Sequence, residues 1–290
     1  MTPQHVTFEG AGLNLAADRW DVPEGVETLG TVLMLHGGGQ TRHSWHQSGT
    51  RFAEQGWTSL TIDSRGHGDS DWAPRGEYGM DPLVADLTAV LKQLDEPPVL
   101  IGASMGGITS LVAVGEHHVE ARALVLVDIA TRLQTEGTKR IHDFMVGNLD
   151  GFGSLEEVAD AISAYNPHRP RPKSLEGLKK NVRLRENGRW YWHWDPAFIQ
   201  GGDEPNRVAA PERLQNAARG VHIPTLLVRG RDSDVLSAEG AEELKELIPG
   251  VQMREAAAGH MVAGDDNDVF ASHVVGFLKD TVVGKGNTGA

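Results

Sequence analysis

Apolar and polar positions along this chain alternate in short blocks, and their periods predict most of its elements. Residues 5–21 hold two alternating segments split by Gly10-Ala-Gly12, which predicts an antiparallel hairpin. Residues 31–35, 99–101, 123–127 and 225–228 are apolar runs, two of them opening on a threonine (Thr31 and Thr225), as expected of strands buried on both faces. Residues 57–62 and 251–255 read as further strands. Helices are predicted between them. One covers about 44–55 and stops at Gly56, and another covers 81–94, where Leu83, Val84, Leu87, Val90, Leu91 and Leu94 form a 3.6-residue stripe. Three more are expected near 107–114, 238–247 and 268–279. Strand and helix in alternation imply a mostly parallel sheet with helices on both faces, and a binding crevice at the strand carboxyl ends.

From 129 to 221 the alternation stops. This stretch contains Asn166-Pro-His-Arg-Pro-Arg-Pro172, a basic region between Arg169 and Arg185, and the aromatic run Trp190-Tyr-Trp-His-Trp194. It is expected to be a mostly helical insertion lying over the crevice. The aromatic run would either line a pocket there or form the insertion's own core. The basic region would either meet an acidic substrate or be a solvated helix face. The division is then a core of 1–128 and 222–282, an insertion of 129–221 and a disordered tail of 283–290.

Composition narrows the chemistry. The chain has 290 residues and a net charge of −13, which argues against nucleic acid and anionic membranes as partners. It has no cysteine, so disulfides, thiolate metal sites and a cysteine nucleophile are excluded. The first residues lack a secretory signal pattern and no apolar run has the length of a membrane span, so a cytoplasmic protein is expected. No cofactor and no metal is implied, and oligomeric state is left open.

The chemistry centres on Gly102-Ala-Ser-Met-Gly106, which joins a buried strand to a helix. In that setting G-x-S-x-G forms a sharp turn that lifts the serine hydroxyl off the sheet at a helix N-terminus. The turn pushes Ser104 toward positive φ, and Gly102 and Gly106 leave room for the close chain crossing. A serine hydroxyl needs a base to attack an acyl carbon, and that base needs an orienting group. His260, in the loop between the last strand and the last helix, is the expected base. Asp128, Asp232 and Asp234 all stand where a carboxylate could hold it. His117, His118 and His193 are expected to be solvated or to cap elements.

A tetrahedral oxyanion requires donors. The N–H of Met105 is one, and the glycine loop after Leu35, His36-Gly-Gly-Gly39, offers Gly38 N–H as the other. That loop lacks the Lys-Ser/Thr of a phosphate-binding P-loop. His36 is expected to hold it, and Asp63-Ser-Arg-Gly-His-Gly-Asp-Ser70 to be a structural turn.

Taken in order, Leu35-His-Gly-Gly-Gly39, Asp63-Ser-Arg-Gly-His-Gly-Asp-Ser70, Gly102-Ala-Ser-Met-Gly-Gly107 and Gly259-His260 resemble the α/β-hydrolase superfamily, in its serine esterase and cofactor-free haloperoxidase-like branch. The resemblance covers roughly 5–128 and 222–280. It implies an α/β-hydrolase fold with an eight-stranded, mostly parallel sheet and a helical cap inserted after strand six. The family's usual acid position falls here on Ser233, a departure flanked by Asp232 and Asp234. Some esterase-like members carry the acid after strand six, which favours Asp128, then Asp234, then Asp232. A serine at the turn sets the chain apart from the aspartate-bearing dehalogenases and epoxide hydrolases. The implied activity is a serine hydrolase acting on a small carboxylic ester, lactone or thioester. Carbon–carbon bond hydrolysis or perhydrolysis by the same residues, or a ligand-sensing receptor on this scaffold, are the alternatives.

Overall fold

The computed structural model describes residues 1–167, 171, 174–200, 209–262 and 267–284. Strands β1 (Gln4–Glu9), β2 (Asn14–Trp20), β3 (Gly30–Leu35), β4 (Trp57–Ile62), β5 (Val99–Ala103) and β6 (Ala123–Val127) come first in the chain. The pair β7 (Val182–Leu184) and β8 (Trp190–Trp192) forms a separate hairpin, and β9 (Thr225–Gly230) and β10 (Gln252–Ala256) return to the main sheet. That sheet has eight strands in the order β1-β2-β4-β3-β5-β6-β9-β10. It is parallel from β4 to β10, and β2 is antiparallel to both β1 and β4.

The apolar runs are explained by burial on two faces, because successive strand side chains point in opposite directions. On one face Val32, Met34, Ile101 and Val125 pack with Phe52 of α1 (His46–Glu54). Phe270 and Val274 of the last helix join the same cluster. On the other face Leu33, Leu35, Leu100 and Leu124 meet α2 (Met80–Leu91) and α3 (Met105–Gly115).

Between β6 and β9 lie α4 (Thr135–Val146), α5 (Leu155–Tyr165), a 3-10 turn (Glu176–Lys180), the β7–β8 hairpin and α6 (Pro196–Gln200). Within this mostly helical segment the aromatic run lies in β8 and the bend after it. Trp190-Tyr-Trp192 is a strand because large aromatics suit a pleated, half-buried surface better than a helix. Residues two apart on a strand share a face, and the Trp192 and Trp194 rings stack at 4.9 Å and 12°. With Met145, Phe152, Val158 and Leu178 they form a small core of their own. The apolar residues of α7 (Pro211–Arg219), also within 129–221, instead join the core under α3, together with Leu244 of α8 (Ala238–Leu247).

The final helix, α9 (Asn267–Leu278), continues into the turn Lys279–Val283. Residues 285–290 of the tail, and 168–170 and 172 of the proline-rich run, lie outside the described residues. Among the described residues no helix is long and apolar enough to cross a membrane.

Candidate active site

Parallel pairing of β5 with β6 sets Ala103 opposite Val127, so Ser104 and Asp128 leave the sheet side by side. Both have left-handed backbones, with φ of 46° and 51°. Such geometry costs a non-glycine residue about 1–3 kcal/mol and survives only where neighbours enforce it. Here Ser104 N–H donates to Val127 O at 3.4 Å and Asp128 N–H to Val228 O at 2.8 Å. The glycines make the crossing possible: a Cβ on Gly102 would lie 2.5 Å from the Gly107 backbone, and one on Gly106 would lie 2.6 Å from that of Leu35.

Asp128 is fully buried, and its carboxylate is saturated with donors. Oδ1 accepts from Gly230 N–H at 2.8 Å, while Oδ2 accepts from His260 Nδ1 at 2.7 Å and from the Ser233 hydroxyl. The loop carrying His260 comes this close because Gly230 has no side chain; a Cβ there would stand 2.3 Å from Gly259 O. Arg231 and Asp232 N–H groups donate to Ala256 O and Ala258 O and fix the loop. Asp234 turns away to Arg140 at 2.9 Å, and the Asp232 side chain is exposed. Of the three carboxylates, then, Asp128 is the one bonded to His260. The Ser104 hydroxyl, a free rotor, has no hydrogen bond to any described residue, His260 included.

Across from the serine, a Cβ on Gly37 would come within 3.2 Å of Ser104 Cβ. Gly37 N–H donates to Gln40 Oε1 at 3.1 Å, and Gly39 N–H to His67 Nε2 at 3.1 Å. Gly38 N–H and Met105 N–H have no acceptor among the described residues. Met105 directly follows Ser104, and Gly38 directly follows the glycine packed against Ser104 Cβ; unengaged N–H groups are the kind of donor a developing oxyanion needs.

His36, His67 and His193 hold this loop, and each is read as neutral because one ring nitrogen must accept. His36 Nε2 accepts from Ser64 N–H while Nδ1 donates to Gly37 O. His67 Nε2 accepts from Gly39 N–H while Nδ1 donates to Arg65 O. His193 Nδ1 accepts from Gly68 N–H at 2.8 Å while Nε2 donates to Gly39 O at 3.2 Å. Burial pushes His36 down to about 4 and His67, next to His36, down to about 3. His193 is held well below its usual value, first by burial and then by its histidine neighbours. The expectation that His193 is solvated or a cap is thereby corrected: it is 2% exposed and ties the insertion to the glycine loop. His117 and His118 are exposed, as expected.

The turn from Asp63 to Ser70 is the insertion's foothold. Asp195 N–H donates to Gly66 O, and Arg183 reaches both Gly68 O and Asp69. From beneath, buried Arg42 binds Asp63, Asp69 and Asp18. Phe198 of α6 faces Gly38 and packs edge-on against His67 at 4.6 Å. Sequence reasoning missed His193, Phe198 and Gln40; only Ser233 had left a signal, as the departure at the expected acid position.

A cavity of about 370 Å³ lies beside His260, bordered by Gln40, His43, His46, Ala103 and Lys180. A wider cleft of about 780 Å³, near Glu9, Asp81 and Lys92, contains none of these site residues. Among the described residues no group of three or more His, Asp or Glu is placed to hold a metal ion.

A family model described as alpha/beta hydrolase fold matches residues 30–266. Esterase Rv0045c of Mycobacterium tuberculosis is 30% identical over 257 residues, 85% of this chain and 82% of its own. A mouse protein, sn-1-specific diacylglycerol lipase ABHD11, is 24% identical and covers 93% of this chain and 88% of its own. The crystal structure of E-2-(acetamidomethylene)succinate hydrolase shares the fold with a TM-score of 0.82 at 19% identity, covering 96% of this chain and 99% of its own.

Proposed function

Because the chain belongs to the alpha/beta hydrolase family, we propose that it is a serine hydrolase cleaving a small carboxylic ester, lactone or thioester through an acyl-enzyme. Ser104 Oγ attacks the acyl carbon as its proton passes to His260 Nε2. The electron pair displaced onto the carbonyl oxygen is received by the N–H groups of Gly38 and Met105. Collapse of the tetrahedral adduct expels the alcohol, or thiol, which takes the proton from His260. Water then gives a proton to His260 and attacks the acyl carbon. The second adduct releases the carboxylic acid and returns the proton to Ser104. Asp128 fixes the Nδ1–H tautomer of His260 and stabilises the imidazolium formed in each half-reaction. The insertion serves as a cap, with Phe198 closing over the Gly38 side.

The observation that carries this reading is the 2.7 Å bond from His260 Nδ1 to the buried carboxylate of Asp128, whose neighbour at the sheet edge is the strained Ser104. The test is labelling with a fluorophosphonate and mapping the adduct by mass spectrometry. Phosphonylation of Ser104, with ester turnover lost in Ser104→Ala, is expected. Turnover that continues with Ser104 unmodified overturns the assignment. Saturable binding without turnover points to a receptor instead.

A further inference from the structure

The basic region between Arg169 and Arg185 has no place in the acyl chemistry described so far. In the fold most of its charges are spent. Arg171 pairs with Asp160, Lys179 with Glu176, and Arg183 with Asp69, while Arg185 lies over the Tyr191 ring at 4.1 Å. Lys180 differs. Among the described residues no carboxylate lies within ion-pair distance of its ammonium, and it borders the cavity that His260 also borders.

The rest of that cavity is arranged to suit a negative charge. None of its lining residues is Asp or Glu, in a chain of 40 acidic residues with net charge −13. His43, His46, Gln40 and Gln47 supply polar groups around Lys180. Asp18, which approaches His43 at 3.5 Å, is buried and already bound by Arg42 and His5. Burial, and then the Lys180 charge, hold His46 below its usual value. A cation with no ion-pair partner among the described residues, facing a space with no carboxylate among its described lining residues, favours an anionic ligand group by direct attraction and by steering.

We propose that the substrate carries a carboxylate in addition to the bond cleaved, and that Lys180 receives it in the cavity beside His260. This rests on the serine-hydrolase reading. Lys180 is a specificity-determining residue in it, touching the substrate away from the reacting carbon. An ion pair that is partly open to solvent makes a preference rather than an absolute requirement.

The test compares matched substrates in the full chain. One pair, 4-nitrophenyl hydrogen adipate and 4-nitrophenyl hexanoate, places the charge on the acyl side. A second pair, 4-acetoxybenzoate and phenyl acetate, places it on the leaving group. Lys180→Ala is expected to lower kcat/KM about ten-fold for the charged member of one pair, with the neutral member unchanged within about two-fold. Lys180→Glu should lower it further, and Lys180→Arg should retain it. A ratio of charged to neutral turnover that moves less than two-fold in both pairs overturns the proposal. Ser104→Ala separates the two readings, since turnover surviving that change sinks the nucleophile whatever Lys180 does. Should the wild type cleave none of the four, adipate binding by calorimetry decides: saturation lost in Lys180→Glu supports the subsite, and no binding to the wild type overturns it.

Discussion

Ser233 donates its hydroxyl to Oδ2 of Asp128, the same oxygen that accepts from His260 Nδ1. Its own oxygen accepts from the N–H groups of Val235 and Leu236, so the loop after β9 delivers that hydroxyl with its orientation fixed. The position to which the α/β-hydrolase resemblance assigns an acid thus carries a hydroxyl that donates to a carboxylate arriving from the neighbouring strand. Ser233 and His260 converge on one carboxylate oxygen, which makes the arrangement testable by exchange.

Asp128→Asn is expected to lower kcat by roughly 10³–10⁴-fold, because an amide that donates to His260 favours the wrong tautomer. Asp234→Asn removes only a partly exposed pair with Arg140 and should stay within about two-fold. Steady-state kinetics on one activated ester separates them. Adding Ser233→Asp to Asp128→Asn should restore at least about ten-fold of the lost activity, since the new carboxylate grows from a side chain already touching the same oxygen.

His193→Phe keeps a ring in the buried stack but removes the donor to Gly39 O and the acceptor for Gly68 N–H. The glycine loop loses its tie to the insertion while the serine side is untouched. We expect kcat to fall by up to about 10²-fold, as for a donor misplaced by an ångström, with KM little changed. His193→Gln, which keeps a donor and an acceptor, should recover part of the loss; equal loss in both variants would mean packing alone.

Acid should destabilise the fold through the same histidines. His36, His67 and His193 are neutral in the folded chain, with pKa values depressed from the ordinary 6.5. Below that value the unfolded chain binds more protons than the folded one, so stability rises with pH in this range. The contribution of His36 and His67 is complete above about pH 6.5 and is lost progressively down to about pH 3–4, by about 1.4 kcal/mol per pH unit for each unmatched proton, and His193 adds to the slope in the same direction. Urea midpoints between pH 7 and 4.5 read this slope, and it should be shallower in His193→Phe.

Gly102→Ala should destabilise the chain by about 3 kcal/mol, since the new methyl meets backbone atoms that no rotamer change can move. Gly12→Ala is the reference: nothing lies near its Cβ, so only the strain of its φ of 85° is felt. Thermal melts of the two variants give the difference.

The central strands and their helices were legible because burial on both faces demands uninterrupted apolar runs such as Ala123–Val127. The turn around Ser104 was legible because its glycines answer to steric limits within a few residues of each other. Pairing of Asp128 with His260 could not be read so directly. Three aspartates satisfied the local pattern, and the choice depends on Gly230 letting a loop 30 residues later approach. The role of His193 was invisible for a related reason: its ring partners lie over 100 positions away, and the tryptophans beside it signal packing but not a bond to the glycine loop. The aromatic run gave no element type, because period-2 and period-3.6 patterns are indistinguishable in five residues dominated by tryptophan.

Gly39 is gripped by His67 from the turn after β4 and by His193 from residues 129–221, so the loop to which the proposed function gives an oxyanion donor is bolted to that segment. On that reading, any displacement of the segment would either break the His193–Gly39 bond or carry Gly39, and the neighbouring Gly38 N–H, away with it.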